Sequence, residues 1–227
     1  YMEPSEKSQT ICDLVGGDVM RVALKDDKAV AKGKWAQVVL PSGVKGWVLK
    51  NQVRGLGERI NIRKGDTSDQ LVSDEKMEAI IASAEQLLGV PYLWGGMTPK
   101  GVDCSGLVRI SCLMNGILLP RNASQQIFCG DKVPMEINTL FWDEKARQTP
   151  EFAAEMQQRV KNLKRGDLVF FGTPASAERG QRVTHVGIYI GNNHIIHSSH
   201  MVRINSLLPT DSDYYENSHR LLGAIRL

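Results

Sequence analysis

Four stretches in the C-terminal part of the chain decide its fold class: Asp167-Leu-Val-Phe-Phe171, His185-Val-Gly-Ile-Tyr-Ile190, His194-Ile-Ile-His-Ser-Ser199 and Leu222-Gly-Ala-Ile-Arg226. Each is short and carries β-branched residues, and Gly166, Gly172 and Gly191-Asn192-Asn193 punctuate the first three, which is how strands read. Upstream the pattern is different. Ser73-Asp74 can cap a helix whose apolar positions Met77, Ile80, Ile81, Ala84, Leu87 and Leu88 recur at spacings of three and four. Gly89 stops that helix and Pro91 prevents its return. A second helix is expected over 104–115, closed by Asn115-Gly116. Thr149-Pro150-Glu151 opens a third, running to about Asn162. Helices first and strands afterwards predict an α+β domain with an antiparallel sheet, not a doubly wound parallel one.

The first fifty residues read as β throughout. Asp18–Leu24, Trp35–Leu40 and Gly46–Leu49 are separated by turn signals at Gly16-Gly17, Asp26-Asp27, Gly33 and Pro41-Ser-Gly43. Several short strands in so little chain predict a small barrel. The expected division is a β-barrel over 1–56, a linker over 57–73 carrying Gly57, Gly65 and Asp66, and the α+β domain over 74–227.

Composition sets outer bounds. At roughly 100–200 residues per domain, 227 residues hold one large or two small domains. With 42% hydrophobic and 23% charged residues, wholesale disorder is excluded. A net charge of +3 is too weak to argue for a nucleic-acid partner. No apolar run reaches the ~20 residues of a membrane span. The N-terminus shows no signal-peptide pattern, and a start at Tyr1 is compatible with a leader already removed.

The four cysteines, Cys12, Cys104, Cys112 and Cys129, fit neither a C-x-x-C zinc site nor a dense disulfide scaffold. They are expected as separate thiols. Cys104 follows Asp103, a good N-cap, and so stands in the first turn of a helix. There the dipole and unpaired N–H groups favour an anion, which predicts a lowered thiol pKa. The competing reading is a buried structural cysteine that happens to begin a helix. A nucleophilic thiol needs a base within hydrogen-bond reach and a group to orient that base. Strand alternation puts His185, Gly187 and Tyr189 on one face. If Gly191-Asn192-Asn193 is a three-residue hairpin loop, residue 187 opposes 197, and His185 and His197 become diagonal neighbours on that face. A two-residue loop would separate them. His194, His197 and His200 alternate faces on a strand, so one ion could not collect all three, and no metal is expected. His219 lies in a polar stretch and is expected at the surface. Tyr92 could present its hydroxyl to a developing oxyanion. Trp94 either walls a cleft or packs beneath the Gly95-Gly96 turn.

Taken in order, Tyr92-Leu-Trp-Gly-Gly96, Asp103-Cys-Ser-Gly106, Pro120-Arg-Asn-Ala-Ser-Gln-Gln126, Arg165-Gly-Asp-Leu-Val-Phe-Phe171, His185-Val-Gly-Ile-Tyr-Ile-Gly191 and His197-Ser-Ser199 resemble the NlpC family of bacterial cell-wall cysteine peptidases. The resemblance covers about residues 74–227. It implies a papain-like fold with Cys104 as nucleophile, His185 as base and acid, and His197 as the orienter of His185. Tyr92 and the backbone N–H of Cys104 would serve the oxyanion. Asp103, Ser105 and Trp94 would line the substrate cleft. The implied substrate is a murein stem peptide, cut between γ-D-glutamate and a diamino acid such as meso-diaminopimelate or lysine, without a cofactor. Export to the periplasm or cell envelope follows from the same resemblance. The first domain is similar to bacterial SH3-like modules, with Gly46-Trp47-Val48 the most typical part, and lacks room for a first strand before Tyr1. In relatives acting on recycled peptides such a module holds the free amine of L-alanine, with Tyr1 and Glu3 as the counterparts here. Phe141-Trp142, in the long segment 127–165, would form an extra wall of the cleft. Two other readings compete: a wall-binding module on an inactive peptidase fold, and a thiol amidase or acyltransferase on a related one.

Overall fold

The apolar runs of the C-terminal half assemble into one antiparallel sheet in the computed structural model of the protein, which describes residues 1–53, 55, 60–63, 65–66, 72–137 and 143–227. The chain divides into two units, Tyr1–Glu58 and Arg59–Leu227.

The first unit contains β1 (Arg21–Val22), β2 (Leu24–Lys25), β3 (Lys28–Ala29), β4 (Ala31–Lys32), β5 (Trp35–Val39) and β6 (Lys45–Leu49). Asp26 and Asp27 both take positive φ, so β2 and β3 join through a two-residue turn. β5 is the centre of a sheet that pairs with β1, β4 and β6. It buries Trp35 and Val38, and Ala23 and Val48 are buried in the same unit. Tyr1 exchanges two backbone hydrogen bonds with Trp47 and packs edge-on against Trp35.

In the second unit β7 (Ile60–Asn61) pairs in parallel with β10 (Ile117–Leu118), and Ile62 is buried in the core. The segment expected as a linker therefore includes a strand packed on this unit. Between them lie α1 (Asp74–Glu85), β8 (Met97–Thr98), β9 (Gly101–Val102) and α2 (Cys104–Met114). The order continues with α3 (Ala123–Gln126), β11 (Asp131–Lys132), α4 (Pro150–Val160), β12 (Leu168–Thr173), β13 (Arg182–Gly191), β14 (His194–Ser199), β15 (Met201–Ser206) and β16 (Leu221–Arg226). Helix caps are those the sequence implied: Ser73 for α1, Asp103 for α2, and Thr149 followed by Pro150 for α4. Leu88, expected on the apolar face of the first helix, is exposed beyond its end, while Leu87 is buried.

The large sheet runs β11-β16-β12-β13-β14-β15. Both faces are covered. Leu168, Phe170, Val186, Ile188, Ile196 and Val202 pack with the apolar sides of α1 and α2. Val169, Phe171, Tyr189, Ile195 and Ala224 pack with Phe152, Met156 and Val160 of α4 and with Leu207, Leu208 and Tyr215. Burial on both sides explains why β12 reads as an unbroken apolar run and not as an alternating one.

The hairpin between β13 and β14 sets the register of the histidines. Asn192 and Asn193 both have positive φ, giving a two-residue turn closed by Gly191 opposite His194. Asn tolerates that conformation better than other non-glycine residues. The three-residue loop expected from the sequence is thus not formed. Ile190 instead bulges out of the ladder, which shifts the register by one. Pairing resumes with Tyr189 opposite Ile195, Ile188 opposite Ile196 and Gly187 opposite His197. A shorter turn plus one bulged residue reaches the register that the longer loop was expected to give.

Candidate active site

Cys104 begins α2, and Asp103 holds that start in place. One oxygen of its carboxylate accepts from the Gly106 N–H at 2.7 Å and the other from the Gly95 N–H at 2.9 Å. Arg121 donates to both oxygens, at 3.0 and 2.6 Å, and to Ser105 Oγ at 2.9 Å. Such a bidentate pair fixes orientation as well as charge. Burial works to raise the Asp103 carboxyl, but Arg121 and the two N–H groups outweigh it and hold it below the usual range. Gln126, from the same motif as Arg121, donates to the Ser105 and Pro120 carbonyls. Asp103 and Ser105 are buried, and their polar groups meet protein partners.

Ser198 Oγ donates to the Val102 carbonyl at 2.8 Å, tying the residue before the cap to β14, next to His197. Cys104 packs in one buried cluster with Val186, the neighbour of His185, and the Val186 N–H acts to lower the thiol's pKa. The start of α2 and the residue beside His185 are thus brought together although they lie far apart in sequence. His185 Nε2 lies 2.8 Å from His197 Nδ1, with the rings nearly perpendicular. Tyr215 packs against both imidazoles and Phe171 against His185. The pair is thus shielded by aromatic rings.

Burial raises the Cys104 thiol, and the Asp103 carboxylate raises it further; the N–H groups of Val186 and Ser105 pull the other way but do not prevail. The lowered thiol pKa expected from the helix start is therefore corrected: desolvation outweighs the helix terminus. Burial, His197 and Arg203 push His185 down to about 3. Burial and Arg203 push His197 down to about 4 against the hydrogen bond to Asn205. At neutral pH the free site holds a thiol and two neutral imidazoles. Burial, Cys104 and Asp103 raise the half-buried Tyr92, so its hydroxyl stays protonated and can donate.

Trp94 is 86% exposed, which removes the reading in which it packs beneath the glycine turn. Tyr1 and Glu3 belong to the first unit, where Tyr1 packs on Trp35 and the Glu3 N–H bonds Ser8 Oγ. Phe141-Trp142 lie outside the described residues. His219 is not at the surface as expected; it is buried in the short helical turn Glu216–Arg220, with Nδ1 beside the Glu216 carbonyl and Arg147. Among the described residues all four cysteines are free, and no group of three or more His, Cys, Asp or Glu could hold a metal ion. Reading the sequence missed Asn205, whose Oδ1 lies 3.0 Å from His197 Nε2, and Tyr215. The alternation Val202-Arg-Ile-Asn205 was signal enough for β15, and hence for a polar residue beside His197.

The family model of NlpC/P60 matches residues 89–221, more than half of the chain and the whole of this constellation. The chain belongs to the NlpC/P60 family. This is a family of peptidoglycan-cleaving cysteine peptidases. Among curated proteins the chain is 30% identical over 160 residues to the gamma-D-glutamyl-L-lysine dipeptidyl-peptidase of Bacillus subtilis (strain 168), covering 70% of this chain and 44% of that protein. The Bacillus cereus (strain ATCC 10987 / NRS 248) protein of the same name is 27% identical over 215 residues, 95% of this chain and 51% of that one. The chain thus spans about half the length of these relatives. Among solved structures, an NlpC/P60 family protein from Bacillus cereus ATCC 10987 superposes with a TM-score of 0.62 at 24% identity, covering 100% of this chain and 59% of that one. This likeness shows the NlpC/P60 fold. Among the described residues no helix is long and apolar enough to cross a membrane.

Proposed function

We propose that the chain is a cysteine endopeptidase that hydrolyses the γ-D-glutamyl–diamino acid bond of murein stem peptides. The observation that carries this reading is the 2.8 Å contact of His185 with His197, on a strand whose Val186 packs in one buried cluster with Cys104 at the start of α2. As the scissile carbonyl approaches, the Cys104 thiol gives its proton to His185 Nδ1 and the sulfur attacks the γ-carbonyl carbon. The oxyanion is met by the Tyr92 hydroxyl and the Cys104 N–H. His185 then passes the proton to the leaving amine, and the C–N bond breaks to leave a thioester. Water, deprotonated by His185, cleaves that thioester, releases the γ-carboxylate and returns the proton to sulfur. His197 keeps the His185 ring in its working orientation. Asp103 and Ser105 shape the cleft by holding the glycine turn and Cys104 in place, and exposed Trp94 lines its rim. No cofactor is required by these steps.

The short antiparallel strands around Trp35 support reading the first unit as an SH3-like module, and the envelope as the place of action follows from a murein substrate. The test is mass-spectrometric digestion of L-Ala-γ-D-Glu-meso-diaminopimelate and of the same peptide with a blocked N-terminus. Release of diaminopimelate from the free peptide is expected. Cleavage of neither overturns the hydrolase reading, and cleavage of both at equal rates overturns a preference for recycled peptides with a free amine.

A further inference from the structure

We propose that Asn205 sets the proton arrangement of the His185–His197 pair and is therefore a positioning residue for the base that accepts the thiol proton. This rests on the reading of Cys104, His185 and His197 given above.

Asn205 stands on β15, one position beyond Ile204, whose side chain lies on the opposite face with α1 and α2. Its Nδ2 donates to the Asp213 carbonyl at 2.6 Å. That carbonyl also receives the Ser206 N–H, and the Asp213 carboxylate lies 3.2 Å from His194 Nε2, so it is held from two sides. A carbonyl only accepts, so the amide group facing it must be the NH2, and Oδ1 must face His197. Oδ1 is likewise only an acceptor, so His197 Nε2, 3.0 Å away, carries a hydrogen.

The direction then propagates. A neutral imidazole has one N–H, so His197 Nδ1 is a lone pair. It accepts from His185 Nε2, and His185 Nδ1 is left as the lone pair that can take a proton from sulfur. With the amide reversed, every hydrogen in the chain moves over by one position, and Nδ1 of His185 becomes an N–H with no basicity. The backbone carbonyl of Asp213 thus fixes, through three hydrogen bonds, which nitrogen faces the nucleophile.

The groups facing the pair are Arg203, which is the cross-strand partner of His197, and the rings of Tyr215 and Phe171, with Cys104 acting on Tyr215 from the start of α2. Burial holds the Tyr215 hydroxyl protonated up to about 12. A neutral amide at 205 orients the pair without adding a negative charge to it.

Two variants of the full chain separate this role from a purely structural one. Asn205→Leu removes both hydrogen bonds, and kcat is expected to fall about 10–100-fold with KM held. Asn205→Asp keeps an acceptor for His197 Nε2 and loses the donor to Asp213. It is expected to keep most of the wild-type kcat near neutral pH and to move the acid limb of kcat upward, because a carboxylate favours imidazolium. Wild-type kcat in Asn205→Leu overturns the proposal, as does equal loss in both variants with an unmoved acid limb. Should Asn205→Leu not fold, imidazole 15N shifts of the wild type decide: N–H at Nε2 of both histidines is expected at pH 7, and N–H at either Nδ1 contradicts it. Hydrolysis surviving in Cys104→Ala would instead defeat the underlying triad reading.

Discussion

A Cβ placed on Gly187 would stand 3.1 Å from the Cβ of His197 and 3.2 Å from Ile195 Cδ1. All are tighter than ordinary contact, as is the 3.2 Å to the Ile196 backbone oxygen; that backbone is held in the ladder, so the strain falls on His197, whose two ring nitrogens are engaged by His185 and Asn205. Gly187→Ala is therefore expected to push the His197 ring by a few tenths of an ångström. Rates respond steeply to such shifts, so kcat should fall about tenfold while the fold survives. Steady-state kinetics beside a thermal melt check this, and an unchanged kcat contradicts it. A similar constraint acts at Gly106, where a Cβ would collide with the Gly96 carbonyl oxygen. The glycine lets the first turn of α2 lie against the glycine turn, and the Cys104 backbone gains its position from that approach.

At the scale of elements, the start of α2 is the part on which most of the site depends. Asp103 caps the helix, pairs with Arg121 and holds the Gly95 N–H. Asp103→Ala removes all three interactions and is expected to cost about 2–4 kcal/mol. Asp103→Asn keeps a capping acceptor and loses the charge opposite Arg121, for an expected cost of about 1–2 kcal/mol. Urea titrations of the two variants should rank them in that order, and equal midpoints would contradict the assignment. This cap was legible in the sequence because Asp followed by a helical apolar pattern has a local cause. The strands β12, β13, β14 and β16 were legible for the same reason. The loop at Asn192-Asn193 was not. Whether the chain turns in two residues plus a bulge or in three residues depends on where Ile190 finds space in the core, which is a tertiary matter. β15 escaped because His200, at φ 64°, reverses the chain in a single residue between Ser199 and Met201, with no Gly or Pro to mark it. Asn205 went with it. The raised thiol pKa is not legible in the sequence, because the helix start is visible there whereas burial of Cys104 is set by residues far along the chain.

For the whole molecule, enclosing two histidines in a doubly covered sheet links stability to pH. From an ordinary value of 6.5, His185 is pushed down to about 3 and His197 to about 4. The unfolded chain therefore binds protons at these groups below pH 6.5, while the folded chain does so only near 3 and 4. Stability from this source is complete above about pH 6.5 and is lost as pH falls toward 4 and then 3. Melting temperatures should decline over that window, and a His185→Gln/His197→Gln double variant should show a flatter curve; an equal slope in the two proteins would contradict it. The most direct test of the central claim compares wild type and Cys104→Ala on L-Ala-γ-D-Glu-meso-diaminopimelate, following free diaminopimelate by mass spectrometry and checking the variant's fold by circular dichroism. Wild type is expected to release it and the folded variant is not, whereas retention of about a tenth or more of the wild-type rate would contradict Cys104 as the nucleophile.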